Sequence, residues 1–343
     1  MRRLPLTVQT IYVDLLDKLL DEAVAHQGRE EGSFVPKTVK GRVYWYHKRR
    51  NPDGTYRQLY VGPETPELVE RIRNHKTLVS AERMRRDMVR ALTRGGSVPT
   101  VNATVGRLLQ GLAESGVFRL RSVLVGTVAY QAYGPMLGVR LGAASVMTED
   151  IDVAQFRSIS IAVEDQLPPV LTTLRAIDPS FEPVPRAFTQ QADAYVTADR
   201  LKVEFITPMR GPVEDEPVPL PALGTALQPL RFLDYLIYRE HKAAVAYGAG
   251  ILVNVPDPVR YAWHKLIVAE RRGMREKVPK DLVQAETLFD VLVEDRPDDV
   301  RDMWEELAAE GRRHWQQIAL DGLGRIGAGV RERVLGVIGG AQG

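Results

Sequence analysis

The spacing of apolar residues changes near residue 100, and the change predicts two kinds of structure along the chain. Before it, residues 6–27 place apolar side chains at mixed three- and four-residue intervals, which is typical of an amphipathic helix. The highly charged segment 64–94 carries an intermittent apolar stripe and predicts a long helix that ends at Gly95-Gly96. Between them, Asn51-Pro52-Asp53-Gly54 separates two aromatic and β-branched runs, which predicts a hairpin over 41–62.

After residue 100, short apolar runs alternate with short amphipathic segments. The predicted elements are a helix over 104–117, a strand at Arg121–Val125, a helix from Gly126-Thr127 to about Met136, a strand with Asp150 and Asp152, a strand-like run at 157–163, a helix over 168–177, and a hairpin of 194–197 and 201–206. A proline-rich loop over 211–229 is expected at the edge of this core. Such alternation favours an α/β or α+β core with a mixed sheet, and we adopt the α+β class.

The rest of the chain is predicted to be almost wholly helical. Helices are expected over 229–247, 256–272, 279–294, 298–317 and 325–338. The whole chain is therefore predicted to have three regions: a basic helix–hairpin–helix region at 1–99, the α+β core at 100–225, and an all-helical C-terminal domain at 226–343.

Composition narrows the chemistry. The 343 residues include no cysteine, which excludes disulfides, thiolate zinc sites and cysteine nucleophiles. No apolar run reaches about 18 residues, and Asp14 and Asp17 interrupt the N-terminal apolar stretch too early for a signal peptide. We therefore expect a cytoplasmic protein with no membrane partner.

Charge is unevenly distributed. Residues 1–100 carry 19 Lys and Arg against 12 Asp and Glu, whereas the remainder carries 27 against 32. In the predicted hairpin, cationic residues lie among aromatic ones, and the candidates for nucleic-acid contact are Arg42, Trp45, Lys48, Arg49, Arg50 and Arg57. Exposed aromatic rings with interleaved cations suit single-stranded nucleic acid. The alternative is a structural hairpin whose aromatic residues pack on their own neighbours.

Asp150 and Asp152 form the central candidate site. Residues two apart on a strand share a face, so these carboxylates would lie side by side and repel each other. A divalent cation between them would remove that repulsion, which predicts a metal-dependent site. The alternative is a pair of exposed loop acids or helix caps.

Four further residues are candidates for the same site. Glu204 interrupts an otherwise apolar strand, although pairing with Lys202 or with solvent would also explain it. Gly126 would let phosphates approach the backbone, and Thr127 at the helix N-terminus would add N–H donors, unless the pair is an ordinary strand-to-helix turn. Lys265 is a candidate phosphate contact or simply a surface lysine.

An apolar strand, Gly126-Thr127 opening a helix, and then Thr148-Glu149-Asp150-Ile151-Asp152 resembles the signature of the polymerase-β-like nucleotidyltransferase superfamily. The resemblance covers roughly residues 104–210. Gly32-Ser33, the stretch Gly41–Tyr46, and His264–Leu266 further resemble a little-characterised bacterial stand-alone branch.

The resemblance implies a small mixed-sheet catalytic core and a site for Mg²⁺, with two ions expected and Mn²⁺ as an alternative. Asp150, Asp152 and Glu204 would be the metal ligands, and Glu204 would also favour deprotonation of the incoming hydroxyl. Asp199 or Asp193 would be the fallback for the third carboxylate. Gly126, Thr127 and Lys265 would bind the nucleotide.

The expected reaction moves a nucleoside monophosphate from an NTP to an acceptor hydroxyl. An RNA or tRNA end is the preferred acceptor, because the N-terminal third is basic and aromatic; a protein or small-molecule hydroxyl is the alternative. Analogy adds the option of a toxin-type enzyme with an antitoxin-like partner protein. The competing hypothesis is a catalytically silent nucleic-acid-binding protein with a nucleotidyltransferase-like core.

Overall fold

The fold is taken from a computed structural model. It describes residues 3–28, 32–50, 56–74, 82–96, 98–142, 150–157, 167–185, 192–209, 211, 216–271, 273, 275–308 and 313–339. No helix among these residues is long and apolar enough to cross a membrane.

Helices and strands alternate along the chain, and both occur in every third of it. The helices are α1 (Leu6–Gly28), α2 (Pro66–Asn74), α3 (Glu82–Arg90), α4 (Ala103–Ser115), α5 (Gly126–Met136), α6 (Val170–Ile177), α7 (Leu233–Leu236), α8 (Pro258–Arg271), α9 (Val278–Asp295), α10 (Pro297–Leu307), α11 (Arg313–Leu323) and α12 (Ala328–Gly339). The strands are β1 (Gly32–Val39), β2 (Arg42–Arg50), β3 (Tyr56–Pro63), β4 (Val123–Val125), β5 (Asp150–Ala154), β6 (Glu182–Pro183), β7 (Ala194–Val196), β8 (Lys202–Pro208), β9 (Val218–Leu220), β10 (Thr225–Leu230), β11 (Glu240–Val245) and β12 (Ile251–Pro256). The α+β class is therefore confirmed.

A mixed seven-stranded sheet forms the centre of the molecule. Its main path is β4–β5–β8–β10–β9, and β7 pairs with both β8 and β6. β4 runs antiparallel to β5, whereas β8 runs parallel to both β5 and β10. Because β4 runs antiparallel to the other three strands, the turn that follows β4 and the segment that follows β10 lie towards opposite ends of the sheet.

The central strands are stable because their apolar residues face packed helices. Ile151, Val153, Val203 and Phe205 are fully buried, while the residues between them in sequence face a cleft. The C-terminal helices complete this core, with α8 packed against α9 and α11 and with Trp263 fully buried between rings of Phe289 and Trp304.

The N-terminal region forms a separate sheet, β1–β2–β3, and a second apolar cluster. In that cluster, Tyr12 and Leu15 of α1 pack with Leu92 and with Ala244 of β11. The Tyr12 hydroxyl accepts a hydrogen bond from the Ala244 N–H at 3.1 Å. The first region is therefore joined to the last third of the chain by a shared core.

Most predicted elements are confirmed, but the helix predicted over 229–247 is wrong. β10 ends at Leu230, α7 spans four residues, and β11 pairs with β12 as a hairpin. The apolar stretches of this hairpin are buried, and a short continuous apolar run does not distinguish a buried strand from a buried helix. Gly248 and Gly250 have positive φ and make the turn between the strands.

Four other predictions need correction. The proline-rich loop over 211–229 contains β9 and β10, and Pro219 is tolerated because β9 lies at the sheet edge. The hairpin predicted over 41–62 is extended by a third strand, β1, which pairs with β2. The long helices over 64–94 and 298–317 are each two helices, α2 with α3 and α10 with α11. The run at 157–163 lies almost entirely outside the described residues, as do Thr148 and Glu149.

Candidate active site

Asp152 and Glu204 lie directly opposite each other on adjacent parallel strands. The register pairs Asp152 with Glu204 and Asp150 with Lys202, so all four side chains share one face of the sheet. β8 is an interior strand, flanked by β5, β7 and β10. Asp150, Asp152 and Glu204 thus line one cleft of about 1040 Å³.

The turn after β4 lies against the same carboxylates. Gly126 has φ +67°, and a Cβ built on it would lie 2.3 Å from Asp152 Oδ2. Glycine is therefore required here both by the backbone conformation and by the close approach of Asp152. Thr127 is the next residue of α5; it is half-buried and does not line the cleft.

Electrostatic crowding is strongest at Asp152. Burial first, and then the charges of Glu204 and Asp150, raise the pKa of Asp152 to about 6, although Lys265 and Lys277 act in the opposite direction. A carboxyl group held in this way gains stability from a positive charge beside it.

Lysine side chains balance part of this negative charge. Lys277 Nζ lies 3.7 Å from Asp150 Oδ2, and Lys202 Nζ lies 2.6 Å from Glu204 Oε1. The pairing of Glu204 with Lys202, one of the two sequence interpretations, is therefore present, and Glu204 also faces the cleft. Within the described ranges, no group of three or more His, Asp or Glu side chains is arranged to hold a metal ion.

Lys265 is buried, so its interpretation as a surface lysine is wrong. Its Nζ donates a hydrogen bond to Asp281 Oδ1 at 2.6 Å and lies 5.2 Å from the centre of the Tyr261 ring. Lys265 lines the cleft together with Arg271 and Lys277. The C-terminal helices and the turn between α8 and α9 thus supply cations to a cleft whose sheet side supplies carboxylates.

Tyr261 connects the helical region to the glycine turn. Its hydroxyl donates to the Gly126 carbonyl oxygen at 2.8 Å and lies 3.0 Å from the Gln284 side-chain oxygen. A hydroxyl has one proton, so once it donates to Gly126 the Gln284 amide satisfies it best with its NH₂ group turned towards it. Tyr261 lies one helical turn before Lys265, and this spacing was the only sequence signal for it. Lys277 carried no such signal.

The fallback carboxylates lie elsewhere. Asp199 is exposed in the turn between β7 and β8, and Asp193 is buried, with its carbonyl accepting a hydrogen bond from the Phe205 N–H. Neither lines the cleft.

The candidate nucleic-acid residues lie on the N-terminal sheet and do not line the cleft. Arg42 and Arg57 are exposed, and Lys48 Nζ lies 4.2 Å from the centre of the exposed Tyr56 ring. Trp45 is half-buried and its Nε1 donates to Glu64 at 3.0 Å. Arg49 and Arg50 pair with Arg57 and Tyr56 in the strand register, and their side chains lie outside the described part of the structure.

Some aromatic residues of this sheet are buried, whereas others are exposed to solvent. Tyr46 and Tyr60 are buried in the main core, as the alternative of a structural hairpin with packed aromatic residues predicts for them. Only part of the aromatic set is thus available to a ligand.

A short buried strand, a glycine turn that begins a helix, and carboxylates on two adjacent strands define a nucleotidyltransferase-like core. Residues 103–310 match the family model described as "Nucleotidyltransferase". Because the match covers more than half of the chain, the protein belongs to this nucleotidyltransferase family.

A similar solved structure is the crystal structure of an antigenic nucleotidyltransferase-like protein from Paracoccidioides brasiliensis, with 12% identity, coverage of 65% of this chain and 94% of that chain, and a TM-score of 0.31. Similarity at that level supports no further statement about this chain. No curated protein matches the sequence significantly.

Proposed function

We propose that this protein is a Mg²⁺-dependent nucleotidyltransferase that moves a nucleoside monophosphate from an NTP to an acceptor hydroxyl. The observation that carries the proposal is the direct pairing of Asp152 with Glu204 beside the Gly126 turn, in a cleft that Lys265 and Lys277 also line. The acceptor we favour is an RNA or tRNA end.

The residues present suit a divalent cation by their chemistry. Mg²⁺ prefers carboxylate oxygens and keeps waters and substrate phosphates as its other ligands, so one or two carboxylates from Asp150, Asp152 and Glu204 would be enough to hold it. Burial first, and then the negative charges of Glu204 and Asp150, raise the pKa of Asp152, and a bound cation would stabilise its ionised form against both effects. When bound, the ion would supply charge stabilisation for the attacking and leaving oxygens.

Residues of the chain would accept the proton and bind the phosphates during the transfer. The acceptor oxygen forms a bond to the α-phosphorus, the bond from that phosphorus to the bridging oxygen breaks, and pyrophosphate leaves with the electron pair. Glu204 is the group expected to receive the hydroxyl proton. The N-terminus of α5 and the ammonium groups of Lys265 and Lys277 would bind the phosphates.

Transfer of label from an α-phosphate-labelled NTP in Mg²⁺ tests the proposal. Asp152→Asn and Asp150→Asn should lower incorporation by a factor of about 100 or more, because the charge of the transition state loses its stabilisation. Asp199→Asn is the matched control, since that carboxylate is exposed outside the cleft. Equal incorporation by all four proteins would rule the site out.

A catalytically silent nucleic-acid-binding protein is the second candidate. The Lys202–Glu204 ion pair at 2.6 Å favours it, because the pair already neutralises the candidate third ligand. This alternative predicts RNA binding by the wild-type protein without incorporation of label into RNA, protein or small molecules.

A further inference from the structure

The cleft extends well beyond the carboxylates, towards the C-terminal ends of β8 and β10. The parallel register places Leu230 opposite Pro208, four residues past Glu204 on β8. At about 3.3 Å per residue this is a distance of about 13 Å along the strand. There the cleft is lined by Arg231, Phe232, His314 and Trp315. We call these four residues the aromatic end of the cleft.

Three aromatic rings lie in series at this end. The rings of Phe232 and Trp315 meet edge-to-face with centroids 4.6 Å apart, and those of Trp315 and His314 do so at 6.0 Å. Phe232 and Trp315 are half-buried, whereas His314 and Arg231 are exposed. Rings with a neighbouring guanidinium can stack on a planar base and pair with its phosphate.

The backbone at Phe232 is held in an unfavourable conformation. Phe232 has φ +67° and ψ −3°, a left-handed region that costs free energy for any residue with a side chain. Glycine would adopt it without strain. Non-glycine residues held in this way concentrate at ligand sites, because the surrounding structure must stabilise them.

The in-line geometry of nucleotidyl transfer indicates which substrate lies at the aromatic end. The attacking and leaving oxygens of a transferred phosphoryl group lie on opposite sides of the phosphorus. The Gly126 turn follows β4, so phosphates bound there lie on the β4 side of the carboxylates in the strand order β4–β5–β8–β10. An acceptor hydroxyl opposite the departing pyrophosphate therefore approaches from the β10 side.

We propose that the aromatic end binds the terminal nucleotide of a single-stranded RNA acceptor. Its base stacks on the rings of Phe232 and the α11 aromatic residues, and its backbone phosphate pairs with Arg231. This inference rests on the proposed function. The cleft volume of about 1040 Å³ is at the upper end for pockets that hold one ligand, and thus leaves room for an acceptor end beside an NTP.

Steady-state kinetics with a short single-stranded RNA that has a free 3′-hydroxyl tests the proposal. Phe232→Leu keeps an apolar side chain and the same backbone strain but removes the ring, and Arg231→Gln removes the charge. Phe232→Leu should raise the KM for RNA about tenfold, the usual effect of losing one base–aromatic stack. Arg231→Gln should also raise this KM, because it removes a phosphate contact, and the increase should be smaller at high salt. The kcat and the Kd of a fluorescent NTP analogue should stay unchanged.

Arg239→Gln is the matched control, because Arg239 is an exposed arginine that does not line the cleft. It should leave all three constants unchanged. If Phe232→Leu melts at a much lower temperature than the wild type, Trp315→Leu and His314→Ala replace it.

Photo-crosslinking supplies a readout that does not depend on turnover. RNA with 4-thiouridine as its last nucleotide should form adducts in the peptides that contain Phe232 or His314 and Trp315. Adducts only in other peptides, or an increase in the Kd for NTP with no change in the KM for RNA, would overturn the inference.

The two proposals fail differently. If the wild type labels a protein or a small molecule but not RNA, the nucleotidyltransferase proposal stands and the acceptor assignment falls. If the wild type labels nothing, the proposed function falls, and the crosslinking result alone decides whether RNA occupies the aromatic end.

Discussion

At the scale of single residues, Gly126 has two separate requirements. Its φ of +67° disfavours side chains, and its Cα approaches Asp152 so closely that a methyl group would collide with the carboxylate. Gly41 has the first requirement without the second, because its φ is +76° and no atom lies within 4 Å of a Cβ built there. Alanine substitutions at the two glycines therefore distinguish backbone strain from steric collision.

Gly126→Ala should destabilise the protein by about 1–2 kcal/mol or more and abolish label transfer, because Asp152 must move. Gly41→Ala should lose about 1–2 kcal/mol by strain alone and keep its transfer activity. Urea denaturation and the labelling assay measure both effects. Full activity in Gly126→Ala would mean that the position of Asp152 is not critical.

Asp152 also makes stability depend on pH. Its pKa is raised from the ordinary 3.8 to about 6, so the folded state favours the neutral form. The associated stability is fully present below about pH 4 and is lost as the pH rises through about 6.

Asp152→Asn should therefore stabilise the protein in EDTA by about 1 kcal/mol at about pH 8, after allowance for solvent screening. The gain should disappear at about pH 4, where the wild-type carboxyl is protonated as well. Denaturant titrations at the two pH values provide the comparison, with Asp199→Asn as the exposed control. A gain of equal size at both pH values would contradict the electrostatic explanation.

At the scale of elements, α8 fixes the turn between β4 and α5 through one hydroxyl. Tyr261 is fully buried and donates to Gly126 at 2.8 Å. Tyr133 makes a comparable bond, from a fully buried hydroxyl to the Pro256 carbonyl at 3.0 Å, outside the cleft wall. The two tyrosines form a matched pair.

Tyr261→Phe and Tyr133→Phe should each cost about 1–2 kcal/mol of stability, because a buried acceptor loses its donor. Only Tyr261→Phe should also lower kcat for label transfer, since only that hydroxyl holds the Gly126 turn. Thermal melts and kinetics separate the effects. Equal kcat values for the two variants would show that the turn keeps its geometry without Tyr261.

The sequence predicted those elements whose apolar period is long or whose ends are marked. α1, α5 and the β7–β8 hairpin were predicted because an amphipathic stripe, Gly126 and an Ala-Asp-Arg turn identify them. β1, β9 and β11 were missed, since short strands that contain proline or lie in continuous apolar runs have no distinctive period. The strand alternation of Asp150, Asp152 and Glu204 was also predictable, but their register was not.

The parts of the site that sequence analysis missed come from distant segments. Lys277 approaches Asp150 across 127 positions, a pairing that depends on how α8 and α9 pack. Phe232 was assigned to a helix, although it has a left-handed backbone that precedes α7. No local pattern encodes either contact.

At the scale of the whole molecule, the basic N-terminal sheet contributes none of the described residues that line the cleft. Lys48 and Arg57 are on neighbouring strands of that sheet, and Lys48 lies over the exposed Tyr56 ring. If RNA binds this sheet, its affinity should depend on phosphate contacts and hence on salt.

Lys48→Glu combined with Arg57→Glu should weaken RNA binding and reduce the slope of log K against log salt by about 1 per lost phosphate contact. Filter binding at several salt concentrations measures the slope, and Arg239→Glu, which makes one charge reversal away from this sheet, is compared with each single variant, Lys48→Glu and Arg57→Glu. An unchanged slope would make the sheet a structural element.

The apolar cluster around α1 can be completed only after β11 has been synthesised, because the cluster includes Ala244. Tyr12 meets Ala244 across 232 positions of sequence. Contacts of such long range form slowly, because the loop between them must close first. The apolar stripe of α1 therefore leaves the ribosome long before its partner strand exists, and it stays exposed to solvent or chaperones until β11 has been made.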